Sequence, residues 1–246
     1  EVLTELPEKI EIKQLIPFSE SERELYYASL SQVNEQLQIL LNAPVHLDKM
    51  AILALLTRLR EICCEPRLLY ENIQQPSSKM KACLDLVTNY KQNGQKVLIF
   101  SSFTSLFELM EPELHRNGIS YLKLTGQTSK EKRREAVNAF QEGKADVFLI
   151  SLKAGGTGLN LTRAEAVIHF DPWWNQSSQN QATDRAYRIG QTQNVQVHQL
   201  IMKESVEEKM MRLQEKKKEL ADLFVENSEG NIGSLSKEEI MELFAR

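Results

Sequence analysis

The sequence predicts an α/β fold in which helices cover both faces of a mostly parallel sheet. The first observation is that short apolar segments rich in β-branched residues alternate with amphipathic segments from residue 76 to residue 203. Strands buried on both faces have this composition, and parallel neighbours need a connection long enough to hold a helix. The second observation is that residues 19–75 and 204–246 keep helical spacing without such strands. These two segments are therefore expected to be helical.

The fold is expected to open with a strand at residues 9–18, because polar and apolar side chains alternate there up to Pro17. Helical spacing follows from Ser19 to about Tyr70, and its second amphipathic run, Met50 to Cys64, stops before Pro66. We therefore divide the chain into a first strand at 1–18, a helical insertion at 19–75, the remainder of the α/β lobe at 76–203, and a helical extension at 204–246.

The remainder of the α/β lobe contains five further predicted strands. They are Lys96–Ser101, Tyr121–Thr125, Asp146–Ser151, Ala166–Asp171 and Val195–Ile201. Helices are predicted near 79–92, 105–117, 129–141 and 176–189, and in the extension at Glu207–Leu223 and Ser236–Ala245. Capping boxes, in which Ser or Thr precedes Glu by three residues, predict helix starts at Ser21/Glu24, Ser105/Glu108 and Thr128/Glu131.

Composition and charge exclude several classes of protein. No apolar run is long enough to span a bilayer, and a net charge of −4 argues against a wholly basic nucleic-acid binder. Any contact with nucleic acid must therefore use a local patch. The three cysteines form no Cys-x-x-Cys pair, and the four histidines lack metal-ligand spacing. We expect reduced, buried cysteines, structural histidines and no metal bound by this chain's own ligands.

The segment from Gln181 to Gln191 carries the strongest chemical signal. If it is helical up to Gly190, then Gln181, Arg185 and Arg188 project from one face. Two guanidinium groups and an amide on one stripe form a clamp for phosphate oxygens, because guanidinium stays charged and offers a planar fork of donors. The alternative is a solvated helix face on which Asp184 and Arg188 form an ordinary ion pair.

A glycine-rich loop directly follows the predicted strand that ends at Ser151. Its residues Gly155, Gly156 and Gly158 allow a backbone to approach a phosphate or base closely, and Thr157 and Asn160 add hydrogen-bonding groups. A tight structural turn explains the glycines equally well. No Gly-x4-Gly-Lys-Ser/Thr sequence occurs in the chain, so it contains no primary triphosphate-binding loop.

Two other strand ends are candidates for contact with a phosphate or a base. Thr125 and Gly126 precede a predicted helix whose N-terminus offers free N–H groups to an anion. Lys130, Lys132, Arg133 and Arg134 add positive charge there, although a solvated basic face explains them as well. Trp173 and Trp174 follow another strand end, and because neighbouring side chains cannot both enter one core, we expect one tryptophan to be exposed.

Together these stretches resemble the C-terminal RecA-like lobe of the Swi/Snf family, double-strand DNA translocases within the superfamily-two helicases. The similar stretches are Val97–Phe103, Leu124–Gln127, Ser151–Leu161, Asp171–Asn175 and Gln181–Gln191. Asp171–Asn175 is closer to prokaryotic members. The resemblance implies a RecA-like three-layer sandwich, with residues 19–75 as the family's helical insertion and the tail as its helical brace.

The resemblance also implies roles for the matching residues. Arg185 and Arg188 would be arginine fingers that reach the γ-phosphate of ATP held by another lobe. Gln181, Gly158 and Asn160 would line the nucleotide cleft. The residues implied in DNA contact are Ser102, Thr125, Gly126, Gly156, Thr157 and Trp174.

By the same resemblance, ATP and Mg²⁺ are held mainly by a first lobe that this sequence lacks, so we expect the chain alone to be inactive. Its start at Glu1 predicts a piece of a longer protein. Expected partners are double-stranded DNA, the N-terminal lobe of the same polypeptide and a DNA-bound protein. The expected location is the bacterial or archaeal cytoplasm, or the nucleus in a eukaryote. Alternatives are a strand-separating RNA or DNA helicase lobe, a dinucleotide-binding metabolic enzyme and a protein-interaction module.

Overall fold

Six strands form a single parallel sheet within the part of the chain that the computed structural model describes: residues 8–42, 48–155, 159–173, 176–186, 191, 193–224 and 235–246. The strands are β1 (Lys9–Ile16), β2 (Val97–Ser101), β3 (Tyr121–Leu124), β4 (Val147–Ser151), β5 (Ala166–His169) and β6 (Val195–Met202). Their order in the sheet is β1-β6-β5-β2-β4-β3. The α/β class and the parallel sheet predicted from the sequence are confirmed, and each strand agrees with its predicted position to within two residues.

Helices connect and extend the strands. Preceding the second strand are α1 (Glu20–Asn42), α2 (Lys49–Cys64), a single 3₁₀ turn at Pro66–Leu68, and α3 (Ser78–Gln92). Between the later strands lie α4 (Ser105–Arg116), α5 (Lys130–Gln141), α6 (Leu152–Gly155) and α7 (Gln176–Thr183). The chain continues with α8 (Val206–Phe224) and α9 (Lys237–Phe244). None of the helices in the described ranges is long and apolar enough to cross a membrane.

The chain divides into two compact units. The first contains residues 1–14, 80–173 and 177–200, and the second contains residues 15–79, 174–176 and 201–246. The predicted helical insertion and the C-terminal extension thus lie largely in one and the same unit. Because the two segments are far apart in the sequence, periodicity alone does not indicate that they belong to one unit.

The first unit has its core on the two faces of the central strands. Every residue of β2, β4 and β5 is buried, as expected for parallel strands covered on both sides. Phe140 of α5 packs against Phe148 of β4 with ring centroids 5.3 Å apart. The continuous apolar runs in the sequence are therefore explained by double-sided burial.

The second unit buries an ion pair. Nζ of Lys79 lies 2.7 and 2.6 Å from the two carboxylate oxygens of Glu207, and both side chains are fully buried. Glu207 also accepts the N–H of Met202 at 2.9 Å. Although burial alone lowers the pKa of Lys79, the Glu207 carboxylate raises it above its ordinary value overall. The pair therefore stays charged and joins the start of α3 to the start of α8.

Helix starts differ from the predicted capping boxes. For α1 the box lies two residues earlier, since Ser19 accepts the N–H of Glu22 and Glu22 accepts the N–H of Ser19. For α4 the predicted Ser105/Glu108 box is wrong, because Thr104 is the N-cap and makes no side-chain cap. For α5 the cap is Ser129, since the Thr128 hydroxyl instead accepts the N–H of Thr125. Neighbouring Ser and Thr residues compete for each cap, and the turn geometry before the helix selects one of them.

Candidate functional site

The carboxyl ends of four neighbouring strands meet at one edge of the sheet in the first unit. Ser101 at the end of β2 pairs with Ser151 at the end of β4, and Leu124 of β3 pairs with Ile150. On the other side, His169 at the end of β5 pairs with Phe100. Ser102 and Thr125 directly follow two of these strand ends, whereas Gln181 lies in α7 and Arg185 just after it. This edge is where open α/β sheets bind ligands.

Asp171 organises the turn after β2. Its buried carboxylate accepts a hydrogen bond from the Ser101 hydroxyl at 2.7 Å and from the Ser102 N–H at 3.1 Å, and it also accepts from the Ser102 hydroxyl. Ser102, a predicted DNA contact, thus has its hydroxyl proton directed at a carboxylate. Sequence reasoning missed this role of Asp171, since the two segments are far apart in the chain.

Thr125 and Gly126 lie in a tight turn between β3 and α5. The Thr125 N–H donates to Thr128 Oγ1 at 3.0 Å, and the Thr128 N–H donates to the Thr125 carbonyl at 3.1 Å. Gly126 is exposed, and a Cβ added to it would meet no atom within 4 Å. A cleft of about 380 Å³ opens here, and its lining consists of Lys123, Thr125, Gln127, Thr128, Ser129 and Lys132. The turn, two lysines and a helix N-terminus therefore face one shallow cavity.

The basic residues at the start of α5 divide into two groups. Lys130, Lys132 and Arg134 are exposed. Arg133 is partly buried, and its Nη1 donates to the carbonyl of Ala154 at 3.3 Å. Arg133 thus packs back onto α6, directly before the glycine-rich loop. Its structural contact was not apparent from the charge pattern.

The glycine-rich loop is described only at its two ends. Predicted site residues Gly156, Thr157 and Gly158 lie outside the described residues. After the loop, Asn160 is exposed and Leu161 is fully buried. The Leu161 N–H donates to the Arg185 carbonyl at 3.0 Å, which holds the end of this loop beside the Gln181–Gln191 segment.

The expected helix through Gly190 ends early. Helix α7 stops at Thr183, and the N–H groups of Arg185 and Ala186 donate to Ala182 and Thr183, three residues back. Such bonds tighten the last turn of a helix. The Arg185 carbonyl accepts the N–H of Leu161, so this turn also contacts the segment after the glycine-rich loop. The helix predicted near 176–189 is therefore too long at residues 184–186, and Arg188 lies outside the described residues.

The side chain of Arg185 has an unpaired hydrogen-bond donor among the described residues. Its side chain is half-buried, and its Nε is buried with no hydrogen-bond partner among the described residues. Buried polar atoms are rarely left unpaired, so this unpaired donor in the turn after α7 is a candidate for a ligand contact. Gln181 is exposed on the preceding turn.

Trp173 follows β5. Trp173 is half-buried and packs against the core of the first unit. Its backbone N–H donates to Oε1 of the buried Gln179 side chain at 3.2 Å. Trp174, the predicted DNA contact, lies outside the described residues.

A buried histidine lies behind this region. Nε2 of His169 is 2.9 Å from the Thr183 hydroxyl, and the ring stacks on Phe100 with centroids 5.7 Å apart. Burial lowers the pKa of His169 to about 4. The ring is therefore neutral at physiological pH. The described residues include no group of three or more His, Cys, Asp or Glu side chains that could hold a metal ion.

The chain is similar to known helicase domains. Residues 78–190 match the family described as the helicase conserved C-terminal domain. The chain is 38% identical over 250 residues to a putative ATP-dependent helicase/translocase, YwqA, of Bacillus subtilis, covering 99% of this chain and 27% of the relative. It is 35% identical to the SWI/SNF-related matrix-associated actin-dependent regulator of chromatin subfamily A member 1 of Mus musculus, covering 97% of this chain and 24% of the relative.

A solved structure shows the same fold. It is the Sulfolobus solfataricus SWI2/SNF2 ATPase core in complex with dsDNA, with a TM-score of 0.80 and 30% identity, covering 98% of this chain and 51% of that chain. The chain spans about a quarter of the length of the curated relatives above (27% and 24%).

Proposed function

Since the chain carries the helicase conserved C-terminal domain and is a homologue of the SWI/SNF-family ATP-dependent helicases, we propose that it is the second motor lobe of an ATP-dependent double-stranded DNA translocase. In this proposal it supplies arginine fingers to a nucleotide held by a first lobe and forms half of the grip on DNA. The observation that carries the proposal is Arg185, an anchored arginine with an unpaired buried donor.

Arg185 suits a role as an arginine finger. Its main chain is fixed through both its N–H and its carbonyl, whereas Nε of its side chain has no partner among the described residues. A planar guanidinium matches the oxygens of a transferring phosphoryl group and stabilises the charge that develops on them. Arg188 is proposed as the second finger from the family resemblance.

The rest of the nucleotide cleft is proposed around Arg185. Gln181 and Asn160 are exposed and lie on the two segments that the Leu161–Arg185 hydrogen bond joins. Gly158 is included from the resemblance alone. Guanidinium and amide N–H donors fit phosphate oxygens. From the family resemblance, Mg²⁺ would be held by the first lobe, where it would offset phosphate charge. The isolated chain is therefore proposed to be inactive.

The DNA grip is proposed at the cleft between β3 and α5. The positive end of the α5 helix dipole, with Lys123 and Lys132 in the cleft lining, would attract one strand's phosphates. Thr125 and Gly126 form the turn that shapes the cleft, and Ser102 follows β2, which β4 separates from β3 in the sheet. Gly156, Thr157 and Trp174 complete the proposed contacts from the resemblance. Closing and opening of the two lobes would then move this grip along the duplex.

The test uses the full-length protein and the variants Arg185→Ala and Arg185→Lys. Removal of an arginine finger lowers the rate by about 10³-fold or more, so DNA-stimulated ATPase should be nearly abolished in Arg185→Ala. Duplex DNA binding should be retained, and lysine should rescue poorly because it lacks the planar fork. Arg116→Ala is the matched control, since Arg116 is an exposed arginine of the same unit. Turnover by Arg185→Ala close to that of the parent would rule out the finger assignment.

A second assay separates translocation from strand separation. Displacement of a third strand from an intact duplex reports translocation, whereas release of a labelled strand reports unwinding. We expect displacement without unwinding, because the structurally similar archaeal core is in complex with dsDNA. Efficient unwinding would instead favour the strand-separating helicase.

A further inference from the structure

A continuous series of hydrogen bonds runs from the segment after β5 into α7. The backbone N–H of Trp173 donates to Oε1 of the Gln179 side chain at 3.2 Å. The backbone carbonyl of Gln179 accepts a hydrogen bond from the Thr183 hydroxyl at 3.2 Å. The Thr183 oxygen lies 2.9 Å from Nε2 of His169, the last residue of β5. Gln179, Thr183 and His169 are all buried. Helix α7 is thus hydrogen-bonded both to Trp173, after β5, and to His169, the last residue of β5.

The direction of the proton in the last bond follows from the others. A threonine hydroxyl has one proton, and that of Thr183 is donated to Gln179. Nε2 of the neutral His169 ring must therefore donate to Thr183, which leaves Nδ1 without a proton. Nδ1 is buried and has no partner among the described residues. The contact therefore has a defined polarity, and loss of the Thr183 hydroxyl would leave Nε2 of His169 buried without this partner.

Thr183 also controls the turn that presents Arg185. Its carbonyl accepts the N–H of Ala186 at 3.1 Å, and the adjacent Ala182 carbonyl accepts the N–H of Arg185 at 3.2 Å. The Arg185 carbonyl is in turn fixed by Leu161. A shift of Thr183 therefore displaces the backbone from which the Arg185 side chain extends.

We propose that His169 and Thr183 are positioning residues that hold the Arg185 turn against the end of β5. The orientation of Arg185 then depends on the conformation of the segment 170–173, which includes Asp171, the residue that binds the Ser101–Ser102 turn. Events at the proposed DNA-facing strand ends are thereby coupled to the proposed nucleotide-facing arginine. This inference rests on the proposed function of the chain.

A purely structural role would not call for these two residue types. Polar groups in a core cost free energy unless they are paired, and an apolar pair of similar volume would fill the same space. The hydrogen bond between His169 and Thr183 is instead directional, and Thr183 lies two residues before Arg185. Directional buried bonds of this kind fix a single geometry, as a residue that supports a catalytic group requires.

The test compares Thr183→Val with Thr183→Ser in the full-length protein. Valine keeps the shape and removes the hydroxyl, while serine keeps the hydroxyl. A small misplacement of a catalytic group is enough to lower a rate severely, so Thr183→Val should reduce DNA-stimulated kcat by about tenfold or more. KM for ATP and Kd for duplex DNA should stay within about twofold of the parent values, because no proposed contact is removed. Thr183→Ser should restore most of kcat.

Tyr90→Phe is the matched control for loss of stability. The Tyr90 hydroxyl lies 2.6 Å from Nε2 of buried His198 in the same unit, so this variant removes the same kind of bond away from α7. It should lose a comparable amount of thermal stability and retain kcat. The double variant His169→Leu/Thr183→Val removes both polar groups, and it should recover stability without recovering kcat.

The outcomes distinguish the two proposals. If Arg185→Ala abolishes ATPase while Thr183→Val turns over like the parent, the positioning role is overturned and the motor function stands. A loss of kcat in Tyr90→Phe equal to that in Thr183→Val would also overturn it, since general stability would then explain both. If Arg185→Ala itself has no effect, the proposed function fails.

Discussion

The backbone N–H of Leu161 donates to the backbone carbonyl of Arg185 over 3.0 Å. This bond joins the end of the glycine-rich loop to the proposed finger residue, which follows the end of α7 at Thr183. A helix continuing through Arg185 would project its side chain according to helical periodicity alone. In the observed turn, the direction of the Arg185 side chain depends also on the neighbouring glycine-rich loop. Substitutions around this edge of the sheet should therefore have separable effects on stability, DNA binding and ATPase activity.

Removal of the Asp171 charge should loosen the turn after β2. In Asp171→Asn one acceptor oxygen is lost at a buried site that receives both serine hydroxyls and an N–H. The free energy of unfolding should fall by about 1–3 kcal/mol, the usual cost of leaving buried partners unsatisfied. Urea unfolding measures it. Asp184→Asn, at an exposed position, is the control and should unfold like the parent.

The buried pair in the second unit should show strong coupling. Lys79→Met leaves the Glu207 carboxylate buried without its cation and should lower stability by about 3–5 kcal/mol. Replacing both residues, Lys79→Met/Glu207→Leu, should recover most of that loss, because no buried charge remains. Lys216→Met breaks a solvent-exposed pair with Glu242 and should cost less than about 1 kcal/mol. A double-mutant cycle without coupling between Lys79 and Glu207 would contradict this reading of the pair.

The free energy of unfolding should decrease as the pH is lowered from 6.5 to 4. Burial lowers the pKa of His169 from 6.5 to about 4, so in this window the unfolded chain binds a proton that the folded chain excludes. The stability due to the neutral ring is complete above pH 6.5 and is lost as the pH falls through the window, by about 3 kcal/mol in total. Denaturant unfolding across this range should give a flatter profile for His169→Leu. An unchanged slope would show that the ring does not exclude the proton.

Glycine at position 126 should matter for DNA but not for folding. Its surroundings are open, so Gly126→Ala should leave stability within about 0.5 kcal/mol of the parent. If a phosphate approaches this backbone closely, the new methyl should weaken duplex binding about tenfold, equivalent to about 1.4 kcal/mol. Fluorescence anisotropy at two salt concentrations measures this affinity, which should fall with salt in both proteins.

Gly118→Ala is the converse variant. Gly118 has φ +63, a conformation that side chains other than glycine rarely adopt. We expect this change to lower stability by about 1 kcal/mol and to leave DNA affinity unchanged. If Gly126→Ala binds DNA as tightly as the parent does, the backbone at Gly126 is not part of the grip.

The fold could be predicted in outline because its signals are local. Buried β2 and β4 appear in the sequence as short apolar runs, and α2 appears as an amphipathic run that stops at Pro66. Helix caps were predicted less well. At α1 and α5 adjacent Ser and Thr residues offered equivalent caps, and the choice depended on the preceding turn. Two of the predicted site residues, Thr125 and Gly126, were correctly placed at the end of β3, because strand ends are also local features.

The sequence alone determined the α/β class, the approximate position of each strand and the order of the motifs that carry the family resemblance. Tertiary structure decided which distant groups meet: Lys79 with Glu207, His169 with Thr183, and Leu161 with Arg185. It also decided that α7 ends at Thr183 and that Arg133 packs back onto Ala154. Periodicity and propensity act over a few neighbouring residues, whereas the pairing of a buried polar group depends on which strand ends the topology brings together.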